Sequence, residues 1–479
     1  MEEQYPDWLS KQIIAGARGF NLDTYLVALE GWRRGLSLEW YYEPSDVTDL
    51  KIIGFQPLGK TFSLRSDEKT HFFYRSRGDK VANQAVDIAS SKEDTKAYLS
   101  KAGVPVPQGI RFYQQERDEA ILNEALSLGF PLVVKPTYGS LGKGVITNIR
   151  TKEKLLESIT YVRDELGFTD LIIERFVQGD DVRVYVVGDS VLGAVKRVPA
   201  NVVGDGIHSI EDLIKEKNKA KKTNPHLSTR LIKTNDQLTK YLQDQQLSLQ
   251  DVPAKDEVIY LNGKSNISAG GDSIDVTDEL PATIKEIAVQ AVQAIPDLKH
   301  AGLDLIMDDD QATVIEINAT AGIALHIFPL YGKRRNIPAG IIDYYFPETK
   351  GLADQRKQIY FDYKTILRLL RSHVAQQLEV PNAPAGKLHA RRYVITGKVQ
   401  GVGFRKWIRK QAIKQGLHGY TRNLKNGKVV VVVAGIDEQI VDGFQEICQK
   451  GPKRAEVSEV KAYPWEKQIR IGFEIRDDN

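Results

Sequence analysis

The sequence predicts an α/β and α+β multidomain protein. Three observations carry this. Apolar strand-like runs alternate with amphipathic helical stretches from about 90 to 347, a PNAPAG connector stands at 381–386, and a fresh strand–helix pattern begins after it. At 479 residues the chain is long enough for three domains of ~150 residues each. Its 66 Lys and Arg against 63 Asp and Glu leave a formal charge of +3, so overall electrostatics offers no basis for binding nucleic acid. One cysteine, Cys448, excludes an internal disulfide framework and any multi-cysteine metal site. No apolar run approaches the ~20 residues that span a bilayer, and the N-terminal MEEQYPDWLSKQ is too acidic and mixed for a signal peptide. The expectation is a soluble, cytoplasmic chain with no membrane partner.

The first 90 residues read as a small α/β unit. Leu22, Leu26, Leu29 and Trp32 stand at near-helical spacing, and strand-like runs follow at 38–42 and 51–55. SSKEDTKAYLSKAG, from Ser90 to Gly103, pairs a serine cap with acidic residues in the first turn of a helix. Strand-like runs then recur as PLVVKP (131–136), DLIIERFV (170–177), VRVYVVGD (182–189) and TVIEIN (313–318). Residues 215–256, rich in Lys and Gln, read as helices and loops over a site, and YKTILRLLRSHVAQQLEV (363–380) as one helix before the connector. The last ~90 residues run strand, helix, strand, helix, strand, a compact α+β pattern.

The clearest chemistry lies in HAGLDLIMDDDQATVIEINATAG at 300–322. Two β-rich runs flank an acidic turn at 308–310, which reads as a hairpin. A turn centred near Asp310 sets Asp304 opposite Glu316, and Asn318 shares a face with Glu316. Two carboxylates and an amide are hard oxygen donors suited to a Mg²⁺ that bridges phosphates. Glu316 also sits between Ile315 and Ile317, where an unpaired charge is costly. A second signal is PLVVKPTYGSLGKGV at 131–145, where Lys135 on an apolar strand precedes Gly139, Gly142 and Gly144. Such a loop closes backbone N–H groups on phosphate, although Gly144 after Lys143 departs from a Walker A pattern. Alone it reads equally as a plain hairpin. In IIERFVQGDDVRVYVV (172–187) a connector at 174–177 offers backbone groups to an adenine and Asp181 a carboxylate to ribose, though alone it reads as a surface turn.

Together these segments resemble the ATP-grasp carboxylate–amine ligases over roughly 90–347. The order SKEDTK, VVKP with its glycine loop, IIERFVQG, then GLDLI and VIEIN matches that superfamily. The likeness is greatest to the ATP-grasp modules of cyanophycin synthetases and bifunctional glutathione synthetases, through RVPANVVGDGIHSIEDLI (197–214), SNISAGGDSIDVTDEL (265–280) and IEINATAGIALHIFP (315–329). The resemblance implies an ATP-grasp fold behind a small pre-ATP-grasp domain. Lys92, Lys135 and the Gly142 loop would contact ATP, Glu174 and Val177 its adenine, and Asp181 its ribose. Asp304, Glu316 and Asn318 would hold Mg²⁺ (two ions, with Mn²⁺ as the alternative). The implied reaction phosphorylates a carboxylate, and an amine then displaces the phosphate to give an amide. Arg183, Lys196 and Arg197 alternate with apolar residues and suit the phosphoryl group or the substrate carboxylate, with Arg183 preferred. His326 reads as a packed or capping histidine rather than a base. Thr320-Ala321-Gly322 stands where the family often has Pro before the Gly.

TGKVQGVGFRKW at 396–407 turns from a strand through 400–403 into a helix, so that successive N–H groups converge. Arg405 in that first turn opposes the helix dipole, which suits an anion site better than a stability device, and Asn423 in GYTRN can orient a water. The bland alternative is a glycine turn beside a surface arginine. GKVQGVGFR, GYTRN, NGKVVVVVAG and GPKRAEVSEV resemble an acylphosphatase over nearly the whole of 388–479. That implies a ferredoxin-like sandwich in which Arg405 binds phosphate and Asn423 positions water. The organisation is then 1–90, a pre-ATP-grasp-like domain; 91–347, ATP-grasp; 348–387, helix and linker; 388–479, acylphosphatase-like. The partners are small molecules: a carboxylate donor, amino acid or peptide, and an amine acceptor, with homo-oligomers common among relatives. The hydrolase edits, supplies or regulates the ligase; the alternative is an acyl-phosphate hydrolase or ATP-dependent sensor with a regulatory ATP-grasp module.

Overall fold

The computed structural model describes residues 5–43, 45, 47–54, 58–137 and 144–477. It divides into two compact units, residues 1–78 with 341–479, and residues 79–340.

The first unit begins with the helix Phe20–Arg33, which lies against an antiparallel sheet ordered Gln377–Val380, Ser37–Tyr41, Thr61–Arg65, Thr70–Tyr74, Arg77–Gly78. Its core is aromatic. Trp40 meets Phe62 at 5.2 Å and Tyr363 at 5.3 Å between ring centroids, and Phe361 lies 5.1 Å from Tyr25 and 5.4 Å from Trp32. Residues more than 300 positions apart in sequence thus share one core. The buried Arg33 guanidinium cross-links them, donating to the carbonyls of Trp8 (2.9 Å), Lys357 (2.8 Å) and Ile359 (2.9 Å). Burial lowers its pKa to about 10, which still leaves it charged at neutral pH.

Several sequence expectations change here. The helix expected over 363–380 ends at Arg371, and His373 takes the left-handed conformation (φ 54°) that reverses the chain. Residues Gln377–Val380 then pair antiparallel with Ser37–Tyr41, Leu38 opposite Val380. Unsatisfied backbone groups on that sheet edge outweigh the helix propensity of QQLE. The run 51–55 forms no strand across its described residues, 51–54.

Residues 389–475 fold as strand His389–Lys398, helix Phe404–Lys414, strands His418–Asn423 and Val429–Gly435, helix Glu438–Lys450 and strand Glu456–Pro464, with Phe473–Ile475 added at one edge. The sheet order is Glu456–Pro464, His389–Lys398, Val429–Gly435, His418–Asn423, Phe473–Ile475. This is the split βαβ arrangement of a ferredoxin-like sandwich. The strand that sequence periodicity missed, His418–Asn423, is short and polar at its end. Phe404, Ile408, Val431, Phe444 and the lone Cys448 pack in the core. Ile359 and Ile469 pair in parallel, and Ile469 N–H donates to Gln358 O at 2.7 Å. Arg470 meets Asp362 at 2.9 Å. The connector at 381–386 is therefore bracketed by hydrogen-bonded strands rather than left as the sole tie between domains.

The described residues of the second unit form two larger sheets and one two-stranded pair. One runs Gly109–Phe112, Leu171–Arg175, Leu132–Pro136, Ile146–Ile149, backed by the helices Asp118–Ala125 and Lys152–Thr160. The other runs Asp272–Asp275, Ser190–Val198, Asp180–Val187, His300–Asp308, Gln311–Asn318. Between them in sequence, Asn201–Val203 and Val258–Tyr260 pair beneath the helices Ile210–Thr223 and Asp236–Gln243, with a core of their own. The helix Lys92–Lys101 starts where predicted, with the Ser91 side chain accepting from Asp94 N–H. No described helix is long and apolar enough to cross a membrane.

Gly31 faces the buried Leu64, and a Cβ there would lie 2.3 Å from a Leu64 methyl. Gly31→Ala should therefore lower the urea midpoint followed by Trp32 and Trp40 fluorescence. The expected loss is about 1–2 kcal/mol, although alanine favours helix by ~1 kcal/mol. An equal or higher midpoint would mean that Leu64 has room to move.

Candidate active site

The sheet of the second unit gathers most of the polar residues singled out from the sequence on one face. Arg183 lies opposite Val195 on one side and Asp304 on the other, and Asp304 lies opposite Glu316. One step along, Gly193, Tyr185, Gly302 and Asn318 form the next row. The hairpin closes at Asp308 and Gln311, with Asp309 left-handed at φ 50°. From that turn a regular ladder would set Asp304 opposite Ile315. A bulge after Asp304 leaves Ile315 unpaired and brings Glu316, and then Asn318, into register. The bulge thus decides that carboxylate and amide, not isoleucines, share the face with Asp304.

Asp304 sits in a half-buried double ion pair. Arg183 grips it as a fork through Nε and a terminal nitrogen, the latter at 3.0 Å, and Arg197 reaches it at 3.3 Å. Burial opposes its ionisation, but the two guanidiniums outweigh burial and hold the carboxyl below its usual range. Arg197 also binds Asp181, Nε to Oδ1, at 2.7 Å. There burial wins: Asp181 is pushed up to about 6 despite Arg197, with Asp304 adding repulsion. Lys196 stands on the opposite face, 2.6 Å from Asp180. Of the three cations considered, Arg183 and Arg197 belong to the site. The remaining terminal nitrogen of Arg183 points along Gly302, whose missing Cβ would lie 3.4 Å from it.

The other sheet supplies lysines. Lys135 meets Glu174 at 2.5 Å, and Lys96 meets the other oxygen of Glu174 at 3.2 Å. Lys92 donates to Pro136 O at 3.2 Å. Burial and then Lys135 lower its pKa, while Glu316 and Glu174 act in the opposite sense, so Lys92 feels charges carried by both sheets. Gly142 and the rest of the glycine loop, 138–143, lie outside the described residues. Val177 follows a connector tied by Arg175 N–H to Gln108 O and Phe176 N–H to Pro131 O, both 2.8 Å. Gly179, at φ 146°, brings that connector so close to the backbone of Met307 that a Cβ would lie 2.3 Å from its oxygen.

Among the described residues no group of three or more His, Cys, Asp or Glu side chains gathers closely enough to hold a metal ion. The donor set here is instead two carboxylates and an amide, Asp304, Glu316 and Asn318, on adjacent strands. Hard oxygen donors of this kind fit Mg²⁺, which keeps waters and phosphate oxygens in its shell. Asp304 is shared with two guanidiniums, yet a carboxylate has about four lone-pair positions, so the fit survives.

His326 is fully buried over Gly193, and among the described residues neither ring nitrogen has a hydrogen-bond partner. Burial, reinforced by Arg183, lowers its pKa to about 3, so it is neutral and packed. Sequence reasoning missed Lys221. Fully buried, it donates to Gly270 O (2.6 Å) and Gly271 O (2.7 Å) and meets Asp272 at 3.1 Å, fixing the 266–272 turn to the Ile210–Thr223 helix. In a Lys-rich run nothing local marks one lysine as buried; a pairing with a distant Asp is invisible to periodicity.

In the ferredoxin-like domain the loop before Phe404–Lys414 turns on Gly401 (φ 75°) and Gly403 (φ 81°), both left-handed, and Gly403 is the helix N-cap. Arg405 stands half-buried in the first turn of that helix. Gln400 donates to Leu424 O and Lys428 O, both at 2.9 Å, and so pins the loop to the turn after His418–Asn423. Asn423, at the end of that strand, is 9% exposed. The loop, the Arg405 helix end and the Asn423 strand end are thereby held on one side of the domain.

Residues 89–205 match the family profile of a RimK-like ATP-grasp domain, residues 205–321 that of an ATP-grasp domain, and residues 391–475 that of acylphosphatase. The glutathione biosynthesis bifunctional protein of Listeria innocua is 34% identical over 354 residues, covering 70% of this chain and 42% of that protein. Cyanophycin synthetase of Synechocystis sp. is 32% identical over 274 residues, 55% of this chain and 31% of that protein. The structure of an acylphosphatase from Coxiella burnetii is 32% identical, covers 19% of this chain and 93% of that one, and has a TM-score of 0.18. The chain spans less than half the length of the two curated relatives.

The neutral His326 has a measurable consequence. Its pKa is 6.5 in the ordinary state and about 3 when folded, so between those values the unfolded chain takes up a proton that the native one does not. Stability must then fall as pH falls, by about 1.4 kcal/mol per pH unit from this group. His226, also lowered to about 3 by burial and Arg230, adds in the same sense. His326→Gln should flatten the urea midpoint against pH between about pH 6 and 4 by one proton's worth; an unchanged slope would place the uptake elsewhere.

Proposed function

We propose, from the premise that this chain joins an ATP-grasp domain at 89–321 to an acylphosphatase domain at 391–475, that it is an ATP-dependent carboxylate–amine ligase carrying its own acyl-phosphate hydrolase. The observation that supports this reading most is the sheet face that carries Asp304, Glu316, Asn318, Arg183 and Arg197, with Glu316 within electrostatic reach of Lys92, itself beside Lys135. A nucleotide bound between the two sheets would lay its phosphates against Lys92 and Lys135, its adenine along Glu174 and Val177, and its ribose by Asp181. Glu316, Asn318 and Asp304 would hold Mg²⁺, which offsets phosphate charge when bound.

The γ-phosphoryl group passes to a substrate carboxylate oxygen and ADP departs. An amine then attacks the acyl carbon, inorganic phosphate leaves, and the nitrogen loses its proton to give the amide. Little covalent chemistry falls to the protein; the rate comes from positioning and from fixed cations. Arg183 keeps one terminal nitrogen beyond its fork on Asp304, which suits it to the substrate carboxylate or the acyl phosphate. The relatives are named for glutathione biosynthesis and cyanophycin synthesis, so an amino acid or peptide is the donor class to test first.

In the hydrolase, N–H groups of the glycine turn and Arg405 would take the phosphoryl oxygens while Asn423 orients the attacking water. The leading role is editing: removal of acyl phosphates released before amine attack.

The test is phosphate release from Mg²⁺-ATP across an amino-acid and dipeptide panel, with product masses. Glu316→Ala should cut amide formation by ~100-fold or more. Arg405→Ala should abolish hydrolysis of a small acyl phosphate and raise amide formed per ATP. Phosphate release with no coupled product on any substrate, surviving in Arg405→Ala, would sink the ligase reading. An unchanged amide-to-ATP ratio would sink editing alone.

A further inference from the structure

A groove of about 690 Å³ opens in the first unit between the turn before the Phe20–Arg33 helix and the Tyr363–Arg371 helix. Arg18 and Asn21 border it on one side, Lys364, Arg368 and Arg371 on the other, and Leu367 gives it an apolar patch. Four of its eight lining residues are cations and none is acidic. All four are exposed, and none makes an ion pair or a side-chain hydrogen bond among the described residues.

Chain stability does not account for this arrangement. Lys364, Arg368 and Arg371 recur at intervals of four and three along one helix face, where like charges repel. The helix dipole favours Arg368 and Arg371 in the last turn but disfavours Lys364 in the first. Arg18 arrives from a separate segment. Gly16 (φ 94°) has its Cβ position 2.2 Å from Lys364 Cγ, so only glycine lets the lysine stem cross there to the groove. The first turn of the Phe20–Arg33 helix, uncapped by any side chain, adds its positive pole beside Asn21. The nearby carboxylates are engaged elsewhere: Asp23 with Arg75, Asp362 with Arg470 and its own helix end.

We propose that this groove binds a compact polyanion, a small molecule carrying three or more phosphate or carboxylate charges. The guanidiniums of Arg18, Arg368 and Arg371 take the anionic groups as forks, and Lys364 acts as a point charge. The volume lies within the ~300–1,000 Å³ of small-molecule sites. None of these residues belongs to the ligase or hydrolase constellations, so the site stands whether or not those readings hold.

Calorimetric titration of the full chain with tripolyphosphate and with citrate, at low salt, tests it. A Lys135→Ala/Arg405→Ala background takes one phosphate-binding cation from each of those two constellations. This background should bind one equivalent of at least one probe, more weakly as salt rises. The preferred probe tells phosphate from carboxylate. Adding Arg368→Glu/Arg371→Glu should weaken binding at least tenfold. Arg368→Gln/Arg371→Gln, which keeps length without reversing charge, should weaken it severalfold. Failure of the background to bind either probe, or equal affinity after the glutamine substitutions, would overturn the proposal.

Discussion

The half-buried ion pairs around Asp304 are the interaction on which the second unit's site depends. A carboxylate largely withdrawn from water on a sheet face is tolerable only if counter-charges meet it there, and Arg183 and Arg197 do so from two neighbouring strands. Their side chains are thereby fixed in direction, and with them the face on which Glu316 and Asn318 stand. Asp181, held through Arg197, marks the edge of the network: its own carboxyl gains too little to offset burial. Charge removed at Asp304 would leave Arg183 without its fork and Arg197 held by Asp181 alone. The polar site is thus one coupled unit rather than five independent residues.

The first unit is organised by a different device. Arg33 uses three of its nitrogens on carbonyls of Trp8, Lys357 and Ile359, joining the start of the described chain to a segment more than 320 residues away. The aromatic rings of Tyr25, Trp32, Trp40, Phe361 and Tyr363 close around that link. The same segment pairs through Ile359 and Tyr360 with Ile469 and Arg470 of the ferredoxin-like domain. A domain held by strand pairing differs physically from one on a flexible string, because a separation set by linker length gives way to a fixed placement on the strand it pairs with.

Much of the site was legible because hairpins convert spacing into contact. Asp304 and Glu316 were paired by assuming a turn about Asp310; the real turn is half a residue earlier, and the bulge at Ile315 supplies the difference. The pairing was right while the ladder behind it was irregular. Helix starts with local chemistry were equally readable, as the Ser91 cap shows. Strands without alternation were not. Gln377–Val380 reads as a helix tail because only the open edge beside Ser37–Tyr41 makes it a strand, and His418–Asn423 is stabilised by neighbours on both sides.

By itself the sequence determined the inventory: which stretches alternate, where glycines permit a left-handed turn, which carboxylates, amides and cations stand two or four apart. Those are local properties, set by covalent geometry and short-range spacing. Tertiary structure alone decided which of them face one another. It buried Lys221 out of a run of similar lysines, turned Lys196 away from Arg183 and Arg197, and left Arg18, Lys364, Arg368 and Arg371 together without acids. The reason is that a side chain's environment comes from partners brought by chain folding across hundreds of residues, and no periodicity in one segment encodes the charge on another.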